Sequence, residues 1–275
     1  MKLITLAFSL LSGMFFSQSS MIFKVEKDNV KPSYIYLNSV TCGESKYLKK
    51  LEEKVLPNIE SISVESNVNS DKNRDILQNS IGVSDNEQKM KNVLSASDYQ
   101  KLLEYVKEKM GVSEQMLNMF KPFYVSAVFT SLDNPCGSGV KGENINLVLE
   151  KYAHKKGVKY SELLSVAEYV ELLDRLPKSY WKTNISYTLN NPDELKIAVR
   201  KKNAAYESGN IATLKSIYNE EPYFKGKNID AFVEIVLPKM EHQMEQASSL
   251  FTIGVEYMDI IKMLENKGYT ITEIK

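Results

Sequence analysis

Histidine is all but missing from this chain. His154 and His242 are the only two in 275 residues, and each stands among charged neighbours. No H-x-x-x-H pair or other pair at metal-ligand spacing can be drawn, and the G-x-S-x-G turn of a serine hydrolase is absent too. Both histidines read as surface residues of polar helices, His154 near a helix C-terminus. Cysteine is equally scarce. Cys42 and Cys136 fit no zinc or thiol-redox spacing, which leaves a disulfide or two free buried thiols. Charge of one sign is lacking as well: Lys+Arg and Asp+Glu number 35 each. No field therefore favours nucleic acid or an anionic membrane surface. Glycine (12) and proline (8) are as few as in an ordinary globular chain.

Long apolar runs are limited to one, "LITLAFSLLSGMFF" (3–16), directly after Met1-Lys2. It falls short of the roughly 20 residues of a membrane-spanning helix. With Ser17 and Ser19 as small residues before a cleavage point, it reads as a secretory signal peptide over residues 1–19. The expectation is export to the periplasm or beyond, with no stable membrane span after cleavage. Residues 21–275 then form a single domain.

What is present alternates between strand and helix signals. "MIFKVEKD" (21–28) and "PSYIYLNSV" (32–40) predict a hairpin, and "ISISVES" (60–66) a short strand after an amphipathic helix at 44–56. Residues 67–91, rich in Asn, Asp and Ser, predict a mobile excursion. The middle is helical: Ser95 or Ser97 caps a run that Gly111 ends, and Pro122 bends or restarts a second run at 113–131. Asn191-Pro192-Asp193-Glu194 is a helix start, with proline in the first turn and acids beside the helix's positive pole. The last residues predict strand (250–255), helix (257–267), a turn at Gly268 and strand (269–274). "GSGVKG" (137–142) matches G-x-G-x-x-G, but the segment before it reads as a helix and turn. The dinucleotide fingerprint needs a strand there, so these glycines predict a loop before a helix at 143–156.

The order of these pieces over residues 21–275 resembles the TraB/GumN family, which includes the Tiki-type metal-dependent proteases. The resemblance is carried by the opening hairpin "MIFKVEKDNVKPSYIYL", by "LSASDYQKLLEYV" and "FKPFYVSAVF", by "AAYESGNIATLKSI", and by the C-terminal strand, helix and "GY" strand. It implies an α/β fold of erythromycin-esterase/ChaN-like type: a mixed central sheet with flanking helices and a helical insertion in the middle. It also implies a metal site built on two G-x-x-H motifs with acidic helpers. Here those motifs are degenerate. The first falls on "NSVT", so Thr41 stands for the histidine, and the second on "GVEY", so Tyr257 replaces it. Asn144 stands for the aspartate of G-x-D, Leu164 for the glutamate of G-L-E-T, and Lys239 for an arginine, while Glu65 fits the strand-end glutamate. Neither threonine nor a protonated phenol is a metal ligand of comparable strength.

The resemblance therefore implies a retained scaffold whose metal site is lost: a non-catalytic binding or accessory protein without a cofactor and with no partner identified. The alternative is a divalent-metal hydrolase with altered ligands, drawn from Glu65, Glu143, Glu256, Tyr257 and Thr41. The resemblance also places Cys42 and Cys136 on loops bordering one cleft, where a bridge would be feasible.

Overall fold

The structure, a computed structural model, describes residues 20–39, 46–68, 71–83, 85–132, 144–222, 224 and 229–275. The predicted signal peptide, Thr41, Cys42, Cys136, Glu143 and the "GSGVKG" loop lie outside the described residues.

Among the described residues six strands form one mixed sheet. β1 (Ile22–Glu26) and β2 (Ser33–Asn38) are the predicted hairpin, with Ile22 opposite Tyr36, and Asn29 takes a positive φ of 63° in the turn. α1 (Lys46–Lys54) leads through a 3-10 turn to β3 (Ser61–Val64). The chain returns to the sheet in β4 (Lys159–Glu162), β5 (Ser249–Gly254) and β6 (Thr270–Glu273). The strand order is β4-β3-β5-β2-β1-β6. The first four strands in that order run parallel, and β1 and β6 pair antiparallel at the other side. This is the mixed α/β sheet expected.

Buried serines are unusual in strands flanked on both sides. Ser61 and Ser249 share a hydrogen bond of 2.7 Å between neighbouring strands, and Ser63 meets Ser161 at 2.8 Å and donates to Gln243 Oε1 at 2.5 Å. Pairing their hydroxyls removes the cost of burying them. Small side chains also let the helix that carries Gln243 approach the sheet.

The helices between β3 and β4 are α2 (Asp71–Ser80), α3 (Met90–Val93), α4 (Ala96–Met110), α5 (Glu114–Leu117), α6 (Pro122–Leu132) and α7 (Ile145–Lys156). Ser95 caps α4, accepting from the Asp98 N–H, and Gly111 ends it at φ 67°, a conformation that costs glycine little. Pro122 opens α6, so the proline restarts the chain instead of bending one long helix. The segment 67–91, read from the sequence as a mobile excursion, carries α2, a 3-10 turn and the start of α3, and Met90 is wholly buried. Its apolar residues are few but reach a core: Val68, Leu77 and Ile81 pack against the cluster around Met90.

Between β4 and β5 run α8 (Val166–Asp174), α9 (Lys178–Asn190), α10 (Pro192–Ser208), α11 (Ile211–Glu220) and α12 (Ile229–Gln246). The predicted Pro192 start of α10 is present, and the helix stops at Gly209, φ 75°. The helix expected at 257–267 divides into a 3-10 turn at Val255–Tyr257 and α13 (Ile260–Asn266). Among the described residues there are two large apolar cores, and a small one at Leu195 and Ala198. One of the large cores surrounds the sheet, and the other, with Leu102, Val106, Val170, Trp181 and Ile185, holds the helical insertion together. Among the described residues no helix is long and apolar enough to cross a membrane.

Candidate functional site

Four parallel strands end at the same edge of the sheet, and their exits bring together Glu162, Glu65, Gly254 and Asn38. Clefts in open α/β sheets form at such carboxyl edges. Here a cleft of about 150 Å³ is bordered by Asn38, Glu65, Ser66, Asn146, Tyr169, Thr252 and Gly254, among others.

Glu65 is fixed through both its main chain and its side chain. Its N–H donates to the Thr252 carbonyl at 2.8 Å, and its carbonyl accepts from the Leu164 N–H at 2.9 Å. Its Oε2 accepts from the Gly254 N–H at 2.7 Å. Glu256, two residues past the end of β5, folds back over that same glycine. A Cβ at Gly254 would lie 2.6 Å from Glu256 Oε2 and 3.2 Å from Glu65 Oε2. Two carboxylates therefore converge on one point, and the glycine is what leaves room for them.

Tyr257 follows, at 8% exposure, and its ring stacks on Phe232 of α12 with centroids 3.5 Å apart and planes 10° from parallel. Burial, and then the negative fields of Glu65 and Glu256, push its phenol well above the usual range, with smaller contributions from Tyr169 and Tyr180. It is held as a neutral phenol.

The remaining family positions have structural occupations. Asn144 caps α7, its Oδ1 accepting from the N–H groups of Asn146 at 3.2 Å and Leu147 at 3.4 Å. Leu164 is wholly buried in the sheet core. Lys239 Nζ donates to the Leu163 carbonyl at 2.9 Å and pairs with Glu168 Oε1 at 2.8 Å, which ties α12 to the chain leaving β4. Glu168 in turn closes a capping box with Ser165 at the start of α8. His154, in the last turn of α7, and His242 are exposed, as expected.

Sequence reasoning missed the neutral part of the cleft. Thr252 Oγ1 donates to Asn146 Oδ1 at 3.2 Å, and Asn146 Nδ2 reaches the Ser66 carbonyl at 3.5 Å. The Ser66 hydroxyl is buried, with no hydrogen-bond partner among the described residues. Thr252 and Ser66 adjoin motif residues and were legible in principle, whereas Tyr169 arrives from α8 with no local signal.

The tyrosine of "AAYESGN" has a different task. Tyr206 OH donates to the Leu37 carbonyl at 3.0 Å and meets Tyr36 OH at 2.8 Å, while Tyr47 OH donates to the Tyr206 carbonyl at 2.9 Å. This clamps α10 to the end of β2, one residue before Asn38 of the cleft.

With this sheet, this insertion and this strand-edge cleft, the molecule is an α/β protein of the class the sequence suggested. The chain belongs to the TraB/PrgY/gumN family, whose model matches residues 21–273. Neither the curated protein sequences nor the solved structures compared with it gave a match.

The transition-metal site implied by the resemblance can be tested on the donors present. Among the described residues no three His, Cys, Asp or Glu side chains group to hold a metal. The cleft is lined by one carboxylate, Glu65, and neutral oxygens, with Glu256 near Gly254, and Tyr257 would have to lose a proton that its surroundings retain. A zinc-type site draws its affinity from nitrogen, sulfur or several anionic oxygen ligands. The described donor set does not fit one.

Proposed function

We propose that this protein is exported and acts as a non-catalytic binding or accessory member of its family, using the strand-edge cleft without a metal. One observation carries the reading. At the position where the resemblance puts the second histidine, Tyr257 is buried against Phe232 and kept protonated by burial and two carboxylates. Asn144 and Leu164 support it, since cap and core duties occupy the positions of the aspartate and glutamate. The convergence of Glu65 and Glu256 favours a second reading, a divalent-metal hydrolase with altered ligands. Metal analysis of the mature protein purified from its native host, with peptidase assays with and without chelator, separates the two. The binding role predicts sub-stoichiometric metal and no chelator-sensitive cleavage. Near-stoichiometric zinc, manganese or cobalt lost in Glu65→Gln and Glu256→Gln would establish the hydrolase instead.

A further inference from the structure

Among the described residues methionine falls into two groups. Met21, Met90, Met240 and Met244 are wholly buried, and Met258 is 6% exposed. Met110, Met116, Met119 and Met263 are 41%, 46%, 56% and 37% exposed. The exposed group is concentrated, since Met110 ends α4, Met116 lies in α5 and Met119 follows two residues beyond it. A single exposed apolar side chain is ordinary. Large ones are scarce here, however, and besides these methionines they are Ile76 and Ile197 among the described residues.

The chain around the three clustered thioethers is held by other groups. The Met119 N–H donates to the Met116 carbonyl at 3.0 Å, and the Met119 carbonyl accepts from the Val83 N–H at 2.8 Å. Leu117, 2% exposed, anchors this turn in the core of the insertion. Asn118 Nδ2 donates to the Glu114 carbonyl at 3.0 Å, and its Oδ1 accepts from the Lys91 N–H at 3.3 Å. Just after Met110, the Gly111 N–H closes α4 on the Lys107 carbonyl at 3.0 Å. Main chain and neighbouring side chains fix this surface, so its shape does not depend on the thioethers staying apolar.

We propose that Met110, Met116 and Met119 form a surface oxidation site that reduces peroxide ahead of the interior methionines. A sulfur lone pair attacks one oxygen of hydrogen peroxide, and the S–O bond forms as the O–O bond breaks. The departing hydroxide takes the proton from the transferred oxygen and leaves as water. The thioether loses two electrons to the peroxide and becomes a sulfoxide. Two thiols, themselves oxidised to a disulfide, can return the thioether and release that oxygen as water. The same reaction at Met90 or Met240 would set a polar sulfoxide in the apolar interior, where an unpaired dipole is unfavourable. At Met119 the sulfoxide stands in water. The site therefore consumes oxidant with little effect on the fold, and it is independent of the strand-edge cleft.

The test exposes the full chain to hydrogen peroxide and follows each methionine by peptide mapping with mass spectrometry, alongside thermal melting. Met110, Met116 and Met119 should oxidise at least about tenfold faster than the buried methionines, since susceptibility follows exposure. Protein whose surface methionines are converted should melt at the wild-type temperature. The combined variant Met110→Leu, Met116→Leu, Met119→Leu keeps the apolar surface and removes the sulfurs. With peroxide limiting, it should carry more sulfoxide at Met263, exposed on α13, because three competitors are gone. Should that variant fold poorly, the mapping of the wild-type chain decides alone. Interior methionines oxidising at matching rates, a melting temperature that falls as the surface group converts, or unchanged Met263 sulfoxide in a folded variant would each overturn the inference.

Discussion

Two tyrosine clusters stand beside the end of β2, and they differ in how their polar groups are used. In the Tyr36–Tyr47–Tyr206 cluster the hydroxyls bond to backbone carbonyls and to one another, and the rings pack at centroid separations of 5.4 and 6.1 Å. Nothing there calls for a ligand. Around Tyr257 the phenols are set against two carboxylates and a cleft. Both clusters bury aromatic rings with polar tips, which is favourable only if the tips are satisfied. The first satisfies them from within and is part of the scaffold. The second stands beside two carboxylates and borders the strand-edge cleft, which sets it apart from the scaffold.

The largest expected effect comes from breaking the closed cluster. Tyr206 is wholly buried, and Tyr206→Ala should cost about 3–5 kcal/mol, the range for truncating a large aromatic in a core. Tyr206→Phe keeps the ring but strands the Leu37 carbonyl, for about 1–3 kcal/mol. Denaturant titration of both variants measures this. A Tyr206→Phe protein as stable as wild type would show that the clamp is dispensable.

Alkaline titration sharpens the same comparison without a mutation. Burial pushes Tyr47, Tyr206 and Tyr257 above the ordinary phenol value of 10.0, and Tyr269 is pushed up to about 12. A phenol whose folded pKa is raised binds more protons folded than unfolded between the two values. Stability is therefore unaffected below about pH 10 and falls as pH climbs from there toward the folded values. Phenolate absorbance should appear together with loss of structure, not before it. A buried-tyrosine fraction that ionises reversibly near pH 10 in the folded protein would contradict this.

Much of the scaffold was legible because its signals are local. The Ser95 cap, the Gly111 and Gly209 stops and the Pro192 start each depend on a few adjacent residues, and each is present. β4, "KYSE", gave no such signal. It is short and only partly buried, and it becomes a strand because β3 offers it an edge, with Ser63 opposite Ser161. The helices of 67–91 escaped for a similar reason, since α2 is mostly polar and is held by contacts such as Asn73 to Glu162 at 2.8 Å. At the site, motif order located Glu65, Glu256 and Tyr257, yet it could not say that one carboxylate folds over Gly254 or that the tyrosine stacks on Phe232. Those depend on residues about two hundred and about twenty-five positions apart in the chain meeting in space.

Gly254→Ala separates site from scaffold. Gly254 has φ −58°, which alanine adopts without strain, and the new methyl would strike chiefly the far end of the Glu256 side chain. Glu256 can swing away, so stability should change by no more than about 1 kcal/mol, while the paired arrangement of carboxylates is lost. Thermal melting close to wild type is the expected result. A large loss of stability would mean that Glu256 cannot move, and that the carboxylate pair is part of the scaffold after all.

The smallest effect is expected at Lys239, although the resemblance gives that position to an arginine of the active site. Its ammonium joins the Leu163 carbonyl and Glu168, both partners belonging to the α8 entry, and its side chain is 38% exposed. An ion pair this open to solvent contributes about 0–1 kcal/mol. Lys239→Met should therefore lower stability by no more than that. The pH dependence gives the finer reading. The hydrogen bond from Lys239 is the first cause holding the Glu168 carboxyl below its ordinary value of 4.5, followed by the Ser165 N–H. A depressed folded pKa stabilises above the unfolded value and loses that stability as pH falls through the folded one. In Lys239→Met the Ser165 contribution persists, so the acid-side loss should shrink without vanishing. If the acid-side slope of stability instead matched wild type, the Ser165 contribution would account for the depression alone, and Lys239 would not be tying α12 to the strand edge.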